Sequence, residues 1–190
     1  RYGDGRVFAH TLDDTIFALD GAKGAELWRV NYPAPVLTLR GSSTPAITPN
    51  GILAGLAGGK LVKLDPADGT PLWEVTITAP SGRSELARIA DIDADPIVVG
   101  KVVFAGTYNG DLAAIDLESG TILWRRELSS HAGIAADETH LFITDSEDQV
   151  WGADPAGGAG RWKQDRLRNR QLTAPALIGN LIAVGDRDGW

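Results

Sequence analysis

Runs of apolar residues at strand-like spacing recur along this chain, and each run closes on an Asp. Ile16, Ala18 and Leu19 precede Asp20, and Leu61, Val62 and Leu64 precede Asp65. A Gly-bearing turn and an apolar strand with a Trp follow, so each segment predicts a β-hairpin. The Asp accepts hydrogen bonds from turn amides, and the Gly supplies the left-handed conformation that a bulged three- to five-residue loop demands. The spacing is the same in four copies: Asp20/Gly24/Trp28, Asp65/Gly69/Trp73, Asp116/Gly120/Trp124 and Asp154/Gly158/Trp162. Intervals between successive Asp residues are 45, 51 and 38 residues, whereas the offsets inside a copy are constant. The repeated unit is therefore rigid and the connectors are variable, which points to the connectors as the place for function. A large indole at a fixed place in every unit is suited to packing against the neighbouring unit.

A second pair of short strands precedes three of the hairpins, in TPAITPNGILAGLAGG, DPIVVGKVVFAGTYNG and AGIAADETHLFITDSED. Four strands per unit at roughly forty-residue spacing predict an all-β chain of β-propeller type, with four-stranded antiparallel blades. The absence of any amphipathic helical stretch of useful length argues against a parallel α/β sheet. Blades are expected at 44–76, 95–126 and 132–163, with partial blades at 1–30 and 174–190. The opening GRVFAHTLDDTIFALDG is expected to supply only the later strands of its blade. The whole chain, 1–190, then reads as one propeller fragment of about four blades from a larger, eight-bladed ring, since a ring cut mid-strand exposes unpaired edges.

Composition narrows the function classes. The net charge of −7 disfavours a general role on nucleic acid, which needs clustered Lys and Arg. The one basic cluster, Arg166, Arg168 and Arg170, reads as a solvated connector or a partner contact. With no cysteine there is neither a disulfide framework nor a thiolate metal site. No apolar run approaches bilayer-spanning length, and no leader follows the first Arg, as in a mature or excised chain.

Motif chemistry is sparse. Asp91, Asp93 and Asp95 resemble the start of a calcium loop, but Pro96 and Val102 stand where an EF-hand needs Gly and Glu. His10, His131 and His140 are isolated and read as surface or loop residues, and no HExxH, phosphate loop or nucleophile elbow occurs. The repeated Asp residues occupy equivalent places, whereas acid–base catalysis needs converging groups in different environments. Neither a catalytic residue, a metal site nor a cofactor is expected.

The Asp-Gly-Trp unit resembles the quinoprotein-type propeller repeat. That group includes quinone-dependent dehydrogenases and the BamB family of the outer-membrane β-barrel assembly machinery. Two connector motifs tip the resemblance towards BamB: LTLRG, with Leu37, Leu39 and Arg40, and RIADIDADP, with Arg88, Asp91, Asp93 and Pro96. Connectors that join one blade to the next emerge on one face of a propeller, so these two are expected as neighbours. Two leucines, a guanidinium and two carboxylates make the mix of a protein-binding patch.

The resemblance implies that Leu37, Leu39, Arg40, Asp91 and Asp93 contact the periplasmic POTRA domains of BamA. It further implies a non-enzymatic scaffold in the periplasm of a Gram-negative bacterium. A lipid anchor outside this chain would hold it to the inner leaflet of the outer membrane, and unfolded outer-membrane proteins would be its clients. Other roles remain open for the same residues. Leu37 and Leu39 also suit packing between blades, Arg40 suits an internal pair with Asp91 or Asp93, and both carboxylates suit loop structure. A PQQ-dependent dehydrogenase propeller and an unrelated propeller adaptor are the alternatives at the level of the whole chain.

Overall fold

Successive residues of a β-strand leave on opposite faces, and in the middle sheets of this molecule both faces are buried. On one strand, Ile52, Ala54 and Leu56 enter one apolar cluster while Leu53 enters the next. The same partition sends Val103 and Ala105 to one side and Phe104 to the other. Strands covered on both sides read as continuous apolar runs, which is why GILAGL and DLAAID lack a polar face.

The structure, a computed structural model, describes residues 1–190 apart from 36, 39–42, 82, 85–87, 131 and 190. Strands β1 (Tyr2–Gly3), β2 (Arg6–His10), β3 (Thr15–Asp20) and β4 (Glu26–Asn31) form the first sheet. The second comprises β5 (Ala46–Thr48), β6 (Gly51–Leu56), β7 (Lys60–Leu64) and β8 (Pro71–Thr76). In the third are β9 (Ile97–Val99), β10 (Val102–Gly106), β11 (Asp111–Asp116) and β12 (Ile122–Glu127). The fourth holds β13 (Gly133–Ala136), β14 (Leu141–Thr144), β15 (Val150–Ala153) and β16 (Gly160–Gln164), and β17 (Ala176–Ile178) pairs with β18 (Leu181–Ala183).

Each sheet is an antiparallel meander in chain order. The opening segment thus has four strands rather than only the later ones, because Tyr2–Gly3 pairs with Arg6–Val7 as a two-residue first strand. First strands β5, β9, β13 and β17 pack one against the next, which sets the sheets radially. The chain is all-β and propeller-like, with apolar slabs between consecutive sheets.

The Asp-Gly-Trp repeat builds those slabs. Gly24, Gly69, Gly120 and Gly158 all have φ between 67° and 79°, and each lies in the turn that joins a strand pair carrying a β-bulge. The Asp carboxylate caps the turn, as when Asp20 Oδ1 accepts the Ala22 and Lys23 amides at 2.9 and 2.7 Å. Three of the four repeat Trp residues then reach the next sheet. Trp28 Nε1 donates to the Pro66 carbonyl, Trp73 to that of Leu117 and Trp124 to that of Pro155, at 2.9–3.0 Å. A Cβ on Gly69 would lie 2.8 Å from the Trp28 ring, and one on Gly120 would lie 2.8 Å from Trp73. The turn glycine therefore serves both the bulge and the neighbouring indole.

Candidate functional site

In a meander whose strands all cross the sheet, turns alternate between its two ends. The β2–β3 and β6–β7 turns share one end with the connectors that link β4 to β5 and β8 to β9. The β6–β7 turn is where these connectors meet. Gly58 and Gly59 both have positive φ, at 73° and 74°. A Cβ on Gly58 would touch Pro35 of the first connector at 3.6 Å and Pro80 of the second at 3.9 Å. A Cβ on Gly59 would overlap the Thr78 carbonyl at 2.1 Å, so the backbone of the second connector lies directly over this turn. The close approach leaves no room for a side chain.

Polar contacts fix the arrangement. Asp91 accepts the Gly58 amide at 3.0 Å and is buried. Across the two connectors, the Thr44 amide donates to Asp95 at 2.6 Å. Ser43 brackets β6, its hydroxyl donating to the Gly55 carbonyl and accepting the Gly55 amide. The Ile92 amide donates to the Leu56 carbonyl, and the Asp91 carbonyl accepts the Tyr108 amide, tying the second connector to both flanking sheets.

The structure therefore brings the two connectors together. Leu37 is 40% exposed on the first. Leu39 and Arg40 lie outside the described residues. Asp91 turns inward to hold the turn, whereas Asp93 is only partly buried. Burial raises the Asp93 carboxyl to about 6, and the nearby charges of Asp91 and Asp14 add to the effect. Asp91 and Asp95 each bind a backbone amide of a different segment, so these two of the three carboxylates join loops.

Two further residues belong to this end of the molecule. Asp14, in the left-handed position of the β2–β3 turn, accepts the Ala57 amide at 3.1 Å and faces His10 Nε2 at 3.1 Å. His10 Nδ1 lies 3.2 Å from the Ser43 carbonyl, and its side chain is 1% exposed. The surface reading of His10 is therefore corrected: it lies buried between a turn and a connector. Its pairing became legible only once that turn was known to share an end with the connectors. His140 is exposed, and His131 lies outside the described residues. In the basic cluster, Arg168 pairs with Glu147 and Arg170 with Asp186, so part of it is spent within the chain.

Residues 1–164 match the family described as outer membrane protein assembly factor BamB. The BamB of Alkalilimnicola ehrlichii is 42% identical over 156 residues, covering 82% of this chain and 41% of the relative. The crystal structure of BamB from Moraxella catarrhalis superposes with a TM-score of 0.92 at 31% identity, over 98% of this chain and 57% of that one. Quinohemoprotein alcohol dehydrogenase from Comamonas testosteroni, with TM-score 0.67 and 16% identity, shares the fold alone. The chain spans about half the length of the curated relatives it matches.

Proposed function

The chain belongs to the BamB family of outer membrane protein assembly factors, and from that premise we propose that it is a non-enzymatic scaffold that docks onto the periplasmic POTRA domains of BamA. The observation that carries this reading is the joining of the two connectors over the β6–β7 turn, with Leu37 exposed beside them. Leu37 and Leu39 supply the apolar anchor, Arg40 and Asp93 the charged specificity, and Asp91 holds the surface in shape. Docking of this kind positions mobile partner domains for delivery of unfolded barrel clients. The site of action is the periplasm, with a lipid anchor holding the protein to the outer membrane. Tethering raises the local concentration of partner domains, so modest intrinsic affinity suffices.

Calorimetric titration of the folded protein into purified BamA periplasmic domains tests the proposal, with Arg40→Glu in parallel. Saturable binding, weakened at least about tenfold by the variant with no loss of fold, is expected. No binding by a well-folded protein would overturn the scaffold reading in favour of the quinone-dependent enzyme or an unrelated adaptor. Quinone with calcium would then be the next titrant. Clients are proposed to add strands to the outer sheet edges, where β16 is exposed along its length. Crosslinks from clients to BamA alone, and never to these edges, would remove that step.

A further inference from the structure

The three slots between consecutive four-stranded sheets are built from equivalent positions but are filled differently. In each, the carbonyl one residue past the turn Asp accepts a Trp indole from the preceding sheet: Pro66, Leu117 and Pro155. In the first slot this carbonyl also accepts a hydrogen bond from the Arg6 guanidinium. In the second, Lys63 Nζ donates to it at 3.0 Å and lies 3.6 Å from Glu118, its side chain 2% exposed. The register shows how the two cations substitute for each other. Arg6 lies opposite Asp20 on β2, with Ala18 opposite Trp28. In the second sheet Lys63 takes the position of Ala18, and Gly51 takes that of Arg6; a Cβ on Gly51 would lie 2.6 Å from the Lys63 stem. The first two slots thus hold one such cation each, supplied from one strand or the other.

The third slot has neither. Val102 stands where Arg6 stands, and Ala114 where Lys63 stands. A cleft of about 520 Å³ opens there, lined by Val102, Phe104 and Pro155 together with Asp137, Glu138 and Asp154; the Asp137 carboxylate also accepts the Thr139 and His140 amides. Among the described residues the one guanidinium in the lining, Arg161, is engaged by Asp154 at 2.8 Å and the Thr139 carbonyl at 3.0 Å. A carbonyl oxygen has two lone pairs, and that of Pro155 accepts the Trp124 indole at 2.9 Å, which leaves a second acceptor position of the kind that Arg6 and Lys63 occupy elsewhere. We infer that this cleft is a binding site for an arginine side chain presented by an extended segment of another polypeptide. Its stem lies on Val102 and Phe104, and its guanidinium meets the Pro155 carbonyl and the acidic lining. The cleft is formed by the β9–β10, β13–β14 and β15–β16 turns, at the opposite end of the sheets from the two connectors. A partner held there would leave the connector surface open.

The test is independent of BamA. The full protein is titrated with acetyl-Gly-Arg-Gly amide and followed by NMR shifts at the cleft, beside the citrulline peptide, which keeps the shape and loses the charge. Saturable shifts by the arginine peptide, about tenfold weaker with citrulline, are expected. Val102→Arg, which copies Arg6, should abolish them while keeping or raising Tm, and Glu138→Lys, at an exposed position of the lining, should weaken them should the first variant fail to fold. Equal response to the two peptides, binding that survives both substitutions, or agmatine binding as tightly as the peptide would overturn the proposal.

Discussion

Asp93 carries a carboxyl that its surroundings prefer protonated. Its neighbours are Asp91 on the same connector and Asp14 on the β2–β3 turn, with the buried His10 beside the latter, and its pKa rises to about 6. An unfolded Asp titrates near 3.9, so between about pH 4 and 6 the folded state holds a proton that the unfolded state has lost. Stability therefore falls as pH rises through that window, and Asp93→Asn escapes the loss. With solvent screening of a part-exposed group allowed for, the variant should gain about 1 kcal/mol at pH 7 and nothing below about pH 4. Urea unfolding of both proteins at pH 4 and pH 7 checks this, and a gain that does not change with pH would disprove it. Asp91 behaves oppositely: Asp91→Ala strips the acceptor from the buried Gly58 amide and should cost about 1–3 kcal/mol. Both carboxylates were legible in the sequence as a charged pair on a connector. Their division of labour was not, because it depends on which one the Gly58 turn faces.

At the scale of elements, the hairpin was readable and its partner was not. Fixed Asp-Gly-Trp spacing specifies a bulged turn by local chemistry alone, and the four turns form as that spacing demands. The seating of Trp28 on Gly69 joins residues of different sheets, and no local pattern records which glycine an indole covers. Short first strands escaped in the same way: two residues, Tyr2–Gly3, carry no periodicity, yet a neighbouring strand pairs with them. The packing makes two different substitutions equivalent. Trp73→Ala empties the space above Gly120 and should cost about 3–5 kcal/mol. Gly120→Ala pushes a methyl into the same ring from below, and strain at positive φ adds to overpacking for about 2–4 kcal/mol. Denaturant titration of each single variant and of the pair measures the coupling. A strictly additive pair would mean that the two residues do not share one contact.

Over the whole molecule, the same rule of seating leaves two of its positions unmatched. Gly24 has φ of 67° like the other turn glycines, yet nothing lies within 4 Å of where its Cβ would be. Trp162 is 45% exposed, whereas Trp28 is 8% exposed. Among the described residues, the first sheet thus presents a socket without an indole, and the fourth an indole without a turn glycine beneath it. We propose that further sheets complete both contacts in a larger propeller, in keeping with the share of its relatives that this chain spans. Substitution of the socket separates the two states. In the 190-residue chain, Gly24→Ala meets only the left-handed backbone penalty, about 1 kcal/mol. In a longer protein whose last sheet seats a Trp on Gly24, the same methyl strikes an indole, and the cost should rise to that of Gly120→Ala. Parallel unfolding measurements on the short and long proteins decide it: a cost that stays near 1 kcal/mol in both would show that no indole closes the ring at Gly24.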